Sequence, residues 1–155
     1  MKNNLPEKIR FTKEGYAKME EEFQALTDER VEILVRLQTA REMGDLSENG
    51  AYTAARLELG STDRRLRHLR YLMRFAEVVK SKTIGSIGFG SRVTLDNGKK
   101  QLTFTLVGKY ESDPSKQKLS IEGPLGKALI GKRVTDKVSV NTPAGNTTYR
   151  VVNVE

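Results

Sequence analysis

The sequence predicts an α+β protein: an N-terminal antiparallel α-helical coiled-coil hairpin, then an antiparallel β-sheet domain with one short helix. Three observations predict it. Two successive seams of mainly apolar residues keep a 3-4-3-4 spacing, the period of a coiled coil rather than of a strand. Only a short Gly-containing segment separates them, so the second helix must turn back along the first. After Lys80 the texture changes to short runs rich in β-branched residues, punctuated by turn signals.

The first seam reads Tyr16, Met19, Phe23, Leu26, Arg30, Ile33, Leu37 and Ala40. The second reads Tyr52, Ala55, Leu59, Thr62, Leu66, Leu69, Met73 and Ala76. Arg30 and Thr62 are polar interruptions. Thr12 is the expected N-cap of the first helix, and antiparallel register places the reversal at about residues 46 to 49. The first arm is then roughly 30 residues, about 45 Å long at 1.5 Å per residue. Beyond the hairpin, "KSKTIGSIGFG" reads as a linker. The runs "SRVTL", "QLTFTLVG", "QKLSIEG", "KVSVNT" and "TTYRVVNV" read as strands, separated by the turns "DNG", "SDPS" and "PAGN". "GPLGKALIGK" is long enough for one short helix. The expected domains are 1–80, the hairpin, and 81–155, the sheet.

Charge and composition narrow the function. The chain has 155 residues and a formal net charge of +7, with 15 basic and 14 acidic residues in 1–80 but 12 and 6 in 81–155. That balance favours an acidic partner such as nucleic acid. With no cysteine there is no disulfide and no thiolate metal site, which fits a reducing cytosol, and no apolar run approaches a membrane span. The expectation is a cytoplasmic protein without membrane contact. The single histidine, His68, has no companions for a metal site or a catalytic triad.

The segment "REMGDLSENGAYTAAR", residues 41–56, puts two acids three residues apart at the expected tip, Asp45 and Glu48. Asp-x-x-Glu before a helix is a capping-box pattern, and by spacing alone capping is the better reading. The functional alternative is half of a divalent-metal site. Mg²⁺ keeps several waters and takes one or two protein carboxylates when other groups supply the rest. Farther along, "STDRRLRHLRYLMR" carries five arginines against one acid, with Arg67, Arg70 and Arg74 on one flank and Arg56 nearer the tip. Pairing with Glu22 and Glu29 of the first helix is the simplest reading of that flank.

"AREMGDLSENGAYTAAR" resembles the hairpin-tip motif of the Gre transcript cleavage factors of bacterial RNA polymerase. "IEGPLGKALIGKRVTDKVSVNTPAGNTTYRVVNVE" is similar to the family's FKBP-like carboxy-terminal domain. The resemblance implies an accessory factor, not an enzyme in itself. Its hairpin would enter the polymerase secondary channel, where Asp45 and Glu48 match the acids that share an Mg²⁺ with the polymerase and promote cleavage of backtracked RNA. It further implies tip support by Arg41, Asn49, Tyr52 and Arg56, and contact of Arg64, Arg67, Arg70 and Arg74 with the 3′ portion of the nascent RNA. Glu122, Pro124 and Leu125 match the polymerase-docking loop. The factor would act as a monomer and hold no metal tightly alone. Gly50 and Ala51 stand where the family commonly has Ala-Glu, Gly123 where Ser precedes Pro124, and Thr135 where Gly precedes Asp136. Two other readings stay open: a channel-binding regulator that does not promote cleavage, and a general coiled-coil RNA-binding module.

Overall fold

The computed structural model describes residues 6–45, 47–80 and 84–155. Residues 1–5, Leu46 of the tip and 81–83 of the expected linker lie outside them. The chain divides into two compact units, one built on Tyr16–Ala76 and the other on Lys8–Gly15 with Glu77–Glu155.

Helices α1 (Lys13–Glu42) and α2 (Gly50–Phe75) supply the first unit. Every expected seam position of α1 is buried or half-buried, with Met19, Ile33 and Ala40 fully so. The α2 seam closes at Ala55, Thr62, Leu66 and Leu69. Ion pairs run across the helices in reverse order: Arg36–Glu58 at 2.8 Å toward the tip, Arg30–Asp63 at 2.6 Å, then Arg65–Glu22 at 2.6 Å. That order makes the hairpin antiparallel. The polar interruption at Arg30 is resolved by Asp63, which accepts from its Nε at the edge of the seam. One seam position shifts: Leu72 is buried where Met73 was expected, and Met73 is only half-buried. The change falls in the last turn of α2, which ends at Phe75.

In the second unit, β1 (Ile9–Phe11) and β2 (Ala76–Val78) make a two-stranded ribbon that the sequence pattern did not announce. The main sheet contains β3 (Arg92–Asp96), β4 (Gln101–Val107), β5 (Lys118–Ser120), β6 (Lys137–Thr142) and β7 (Gly145–Val154), in the order β5-β4-β3-β7-β6. Helix α3 (Pro124–Leu129) is the expected short one. The sheet is not wholly antiparallel, because β5 pairs with β4 in parallel. "YESDPSK" is not a hairpin turn; it passes through two 3-10 turns at Lys109–Glu111 and Pro114–Lys116 and returns the chain to the same end of the sheet.

The core gathers Val93, Leu95, Leu106, Val138 and Val151 of the strands with Leu129 of α3. Ile87 joins them, so the segment expected as a linker contributes to the core; its N–H donates to the Lys132 carbonyl and its carbonyl accepts from Gly131 N–H, both at 2.8 Å. Gly126 makes the close approach of α3 possible, since a Cβ there would lie 2.0 Å from the Ser120 carbonyl oxygen. Thr12 is the N-cap expected at the start of α1, accepting from Gly15 N–H at 3.0 Å. Its own N–H donates to Glu111 at 2.9 Å, and its hydroxyl donates to the same carboxylate.

Candidate functional site

The tip begins where α1 stops. Gly44, at φ +129, takes a conformation that side chains with a Cβ rarely adopt, and turns the chain out of α1. Asp45 then closes on Ser47: the backbone N–H and the hydroxyl of Ser47 both donate to Oδ1 at 3.0 Å. These two donors, the backbone one first, hold the Asp45 carboxyl below the usual carboxylate range, although it is fully exposed. Among the described residues every hydrogen bond to this carboxylate ends on Oδ1, which leaves Oδ2 uncommitted. Glu48 is exposed, and among the described residues its carboxylate takes no hydrogen bond or ion pair.

The expected capping box does not form. The N-cap of α2 is Asn49, whose Oδ1 accepts from Tyr52 N–H at 3.0 Å. Asp45 lies too far upstream to reach the first turn, and its carboxylate is engaged in the tighter Asp-x-Ser turn. Asn49 also donates from Nδ2 to the Ala40 carbonyl at 2.7 Å, tying the last turn of α1 to the first residue before α2. Arg41 lies over the Tyr52 ring, 5.8 Å from its centroid. Of the four residues expected to support the tip, Arg41, Asn49 and Tyr52 are therefore brought together. Arg56 is exposed, and among the described residues its side chain makes no ion pair or ring contact with them.

Arg64, Arg67, Arg70 and Arg74 are all exposed on α2. The expected pairing of the Arg67–Arg70–Arg74 flank with Glu22 is not what forms: Arg65 takes Glu22 through two hydrogen bonds, at 2.6 and 2.8 Å. Among the described residues none of the three flank arginines enters an ion pair. Arg67 and Arg70 instead line an open groove of about 470 Å³ with Phe23, Arg30 and Asp63. Arg70 lies 5.8 Å from the centroid of the Phe23 ring. Cations beside an aromatic face in an open groove can accept a phosphodiester chain and its bases.

In the second unit Glu122 and Pro124 are exposed at the start of α3, whereas Leu125 is half-buried against the core. Its apolar side chain thus serves packing. Two residues of consequence were missed from sequence, Ser47 and Glu111. Asp-x-Ser is a turn signal in its own right and could have been seen; Glu111 carried no local signal. Among the described residues no three His, Cys, Asp or Glu side chains gather as a metal site, and no helix is long and apolar enough to cross a membrane.

Residues 9–78 match the model described as "Transcription elongation factor, N-terminal", and residues 81–155 match "Transcription elongation factor, GreA/GreB, C-term". Transcription elongation factor GreA of Maridesulfovibrio salexigens is 42% identical over 94% of this chain and 94% of its own. The chain belongs to the GreA/GreB family of transcription elongation factors. GreA of Rickettsia canadensis is likewise 42% identical, over 96% of this chain and 94% of its own. A solved structure, GreA factor homolog 1 of Thermus thermophilus, is 28% identical and covers 96% of this chain and 99% of its own, with a TM-score of 0.46. The first GreA/GreB segment contains the acidic tip and the arginine flank; the second contains the five-stranded sheet and α3.

Proposed function

We propose that this elongation factor promotes transcript cleavage by bacterial RNA polymerase, carrying Asp45 and Glu48 through the secondary channel to the 3′ end of backtracked RNA. The observation that supports it best is that neither acid caps α2. Asn49 caps α2, so capping no longer accounts for Asp45 or Glu48.

The pair suits a shared Mg²⁺. Two exposed carboxylates are hard oxygen donors, one with an Oδ2 that takes no hydrogen bond among the described residues, and they are too few to hold the ion without ligands from a partner. When bound, Mg²⁺ activates water and offsets charge at the phosphate undergoing hydrolysis. The Ser47 donors hold Asp45 by Oδ1, while Glu48 supplies a second carboxylate from the same loop. Arg64, Arg67, Arg70 and Arg74 would attract the phosphates of the extruded RNA, an interaction that weakens as salt rises. Glu122, Pro124 and Leu125 would hold the second unit on the polymerase.

The test is a stalled, backtracked elongation complex with Mg²⁺, followed by transcript length. The wild-type chain is expected to shorten the RNA. Asp45→Asn keeps an acceptor for Ser47 and leaves the Asn49 cap intact, and Glu48→Gln removes only charge. Each should lower stimulated cleavage by about 10- to 100-fold or more, since even groups that only orient a metal ligand commonly matter that much. Full cleavage by both variants would sink the metal-sharing reading. Binding to the complex without cleavage by the wild-type chain would leave a channel-occupying regulator.

A further inference from the structure

The structure assigns Asn49 a role that helix capping does not cover: we propose that it is the positioning residue of the tip, clasping the neck of the loop that carries Asp45 and Glu48. The inference rests on the cleavage reading above and names what holds its acids in place. Asn49 is half-buried, and its one carboxamide does two jobs. Oδ1 accepts from Tyr52 N–H at 3.0 Å on α2, while Nδ2 donates to the Ala40 carbonyl at 2.7 Å on α1. Ala40 is itself buried, at 3% exposure, so the α1 end of the clasp is anchored in the seam. The Asn49 carbonyl also receives the Thr53 N–H at 3.1 Å and the Thr53 hydroxyl at 3.2 Å, which ties the same residue into the first turn of α2.

Between Ala40 and Asn49, the links among described residues are local. Met43 N–H donates to the Ala40 carbonyl at 3.2 Å, and Ser47 donates to Asp45. Neither spans the neck. Across the neck Arg41 also reaches the Tyr52 ring, so that contact and the two hydrogen bonds of the Asn49 carboxamide close the base of the loop together. A loop so closed has few arrangements, and a carboxylate misplaced by about 1 Å can cost on the order of 100-fold in a metal-assisted step. Capping alone does not require asparagine, since Ser and Asp cap about as well. Neither replaces the carboxamide. Serine is too short to reach both partners, and aspartate sets a second acceptor against the Ala40 carbonyl.

Asn49→Ser and Asn49→Asp test this in the full chain. Three readouts are compared: thermal melting, amide hydrogen exchange over residues 41–49, and cleavage of a backtracked complex as a function of Mg²⁺. Both variants are expected to melt like the wild type and to exchange faster in the loop. Stimulated cleavage should fall roughly 10- to 100-fold, with a higher Mg²⁺ concentration needed for half-maximal rate, as for loss of a group that orients a metal ligand. Aspartate adds charge beside the acids and serine does not, so a fall in both variants points to the lost donor. Unchanged cleavage in either variant overturns the proposal. So does a fall in cleavage that only tracks a fall in melting temperature in both, which would make Asn49 a cap and nothing more. If Asp45→Asn also cleaves normally, it is the metal-sharing reading that fails, whereas an inactive Asp45→Asn beside a fully active Asn49→Ser refutes the clasp alone.

Discussion

The helical unit and the sheet unit close their interiors in different ways. In the hairpin the interior is one seam wide: Ile33 and Leu69 are shut off from solvent, yet the seam admits Arg30 and Thr62, and Val31, Val35 and Leu57 remain more than half exposed. In the sheet unit Val93, Leu95, Leu106 and Leu129 are all at 0% exposure, enclosed by residues from strands, α3 and the loop of Ile87. Two facing helices can relax toward a gap or let water reach it. A sheet covered by a helix cannot do so without moving backbone.

A cavity in each unit is the strongest way to break that comparison. Leu106→Ala is expected to cost about 4 kcal/mol and Leu69→Ala about 2 kcal/mol, the upper and lower parts of the usual range for such truncations. Urea unfolding of the full chain, with hydrogen exchange read separately in each unit, measures both. Equal costs would mean that the seam is as closed as the core.

Adding a methyl group sharpens the contrast. Gly126→Ala would drive a Cβ into the Ser120 backbone and should destabilise the sheet unit by about 3 kcal/mol. Gly50→Ala has nothing within 4 Å to meet. It should stabilise α2 by up to ~1 kcal/mol, with no change in the sheet. Thermal melts of the two variants should move in opposite directions.

Thr135 carries backbone strain within the tighter unit. It is a β-branched residue at φ 79, its N–H bonded to the Val151 carbonyl at 2.8 Å. Thr135→Gly should relieve that strain and raise stability by roughly 0.5 to 1 kcal/mol, the αL penalty less the entropy cost of glycine. A lower melting temperature would show that the side chain does more for the sheet unit than its backbone costs.

The smallest expected effect is at the tip. The folded-state pKa of Asp45 is depressed, so any stabilisation it brings is present above the unfolded value and is lost as pH falls through the folded one. A carboxyl-carbon NMR titration should place its midpoint below that of an ordinary Asp. Ser47→Ala removes the hydroxyl but keeps the backbone N–H, the larger cause, so the midpoint should rise only part of the way. A midpoint at the ordinary Asp value in the wild type would mean that the turn does not form in solution.

Two acids with the same spacing logic show how far local pattern goes. Asp45 and Glu48 fit a capping box on paper, yet Asp45 turns onto Ser47, and Asn49, the last residue before Gly50, takes the cap. Both outcomes use short polar side chains within a few residues of one another. Such segments offer several competing local hydrogen bonds, and spacing does not rank them. The seams behaved otherwise: α1 matched at every position, and α2 differed chiefly where Leu72 displaced Met73.

What this sequence determined by itself is what repeats or turns locally. The 3-4 spacing specified the hairpin, β-branched runs specified the five strands of the main sheet, and Thr12 and the family motifs specified the start of α1 and the acidic tip. Only tertiary structure decided the parallel seat of β5, the use of Ile87 as core, the β1–β2 ribbon, and the bond from Thr12 to Glu111 across 99 positions. Periodicity records which side of an element avoids water, because that preference acts on each residue in turn. Which distant element covers that side, and which distant carboxylate meets an unpaired N–H, is settled only when the folded chain brings them together.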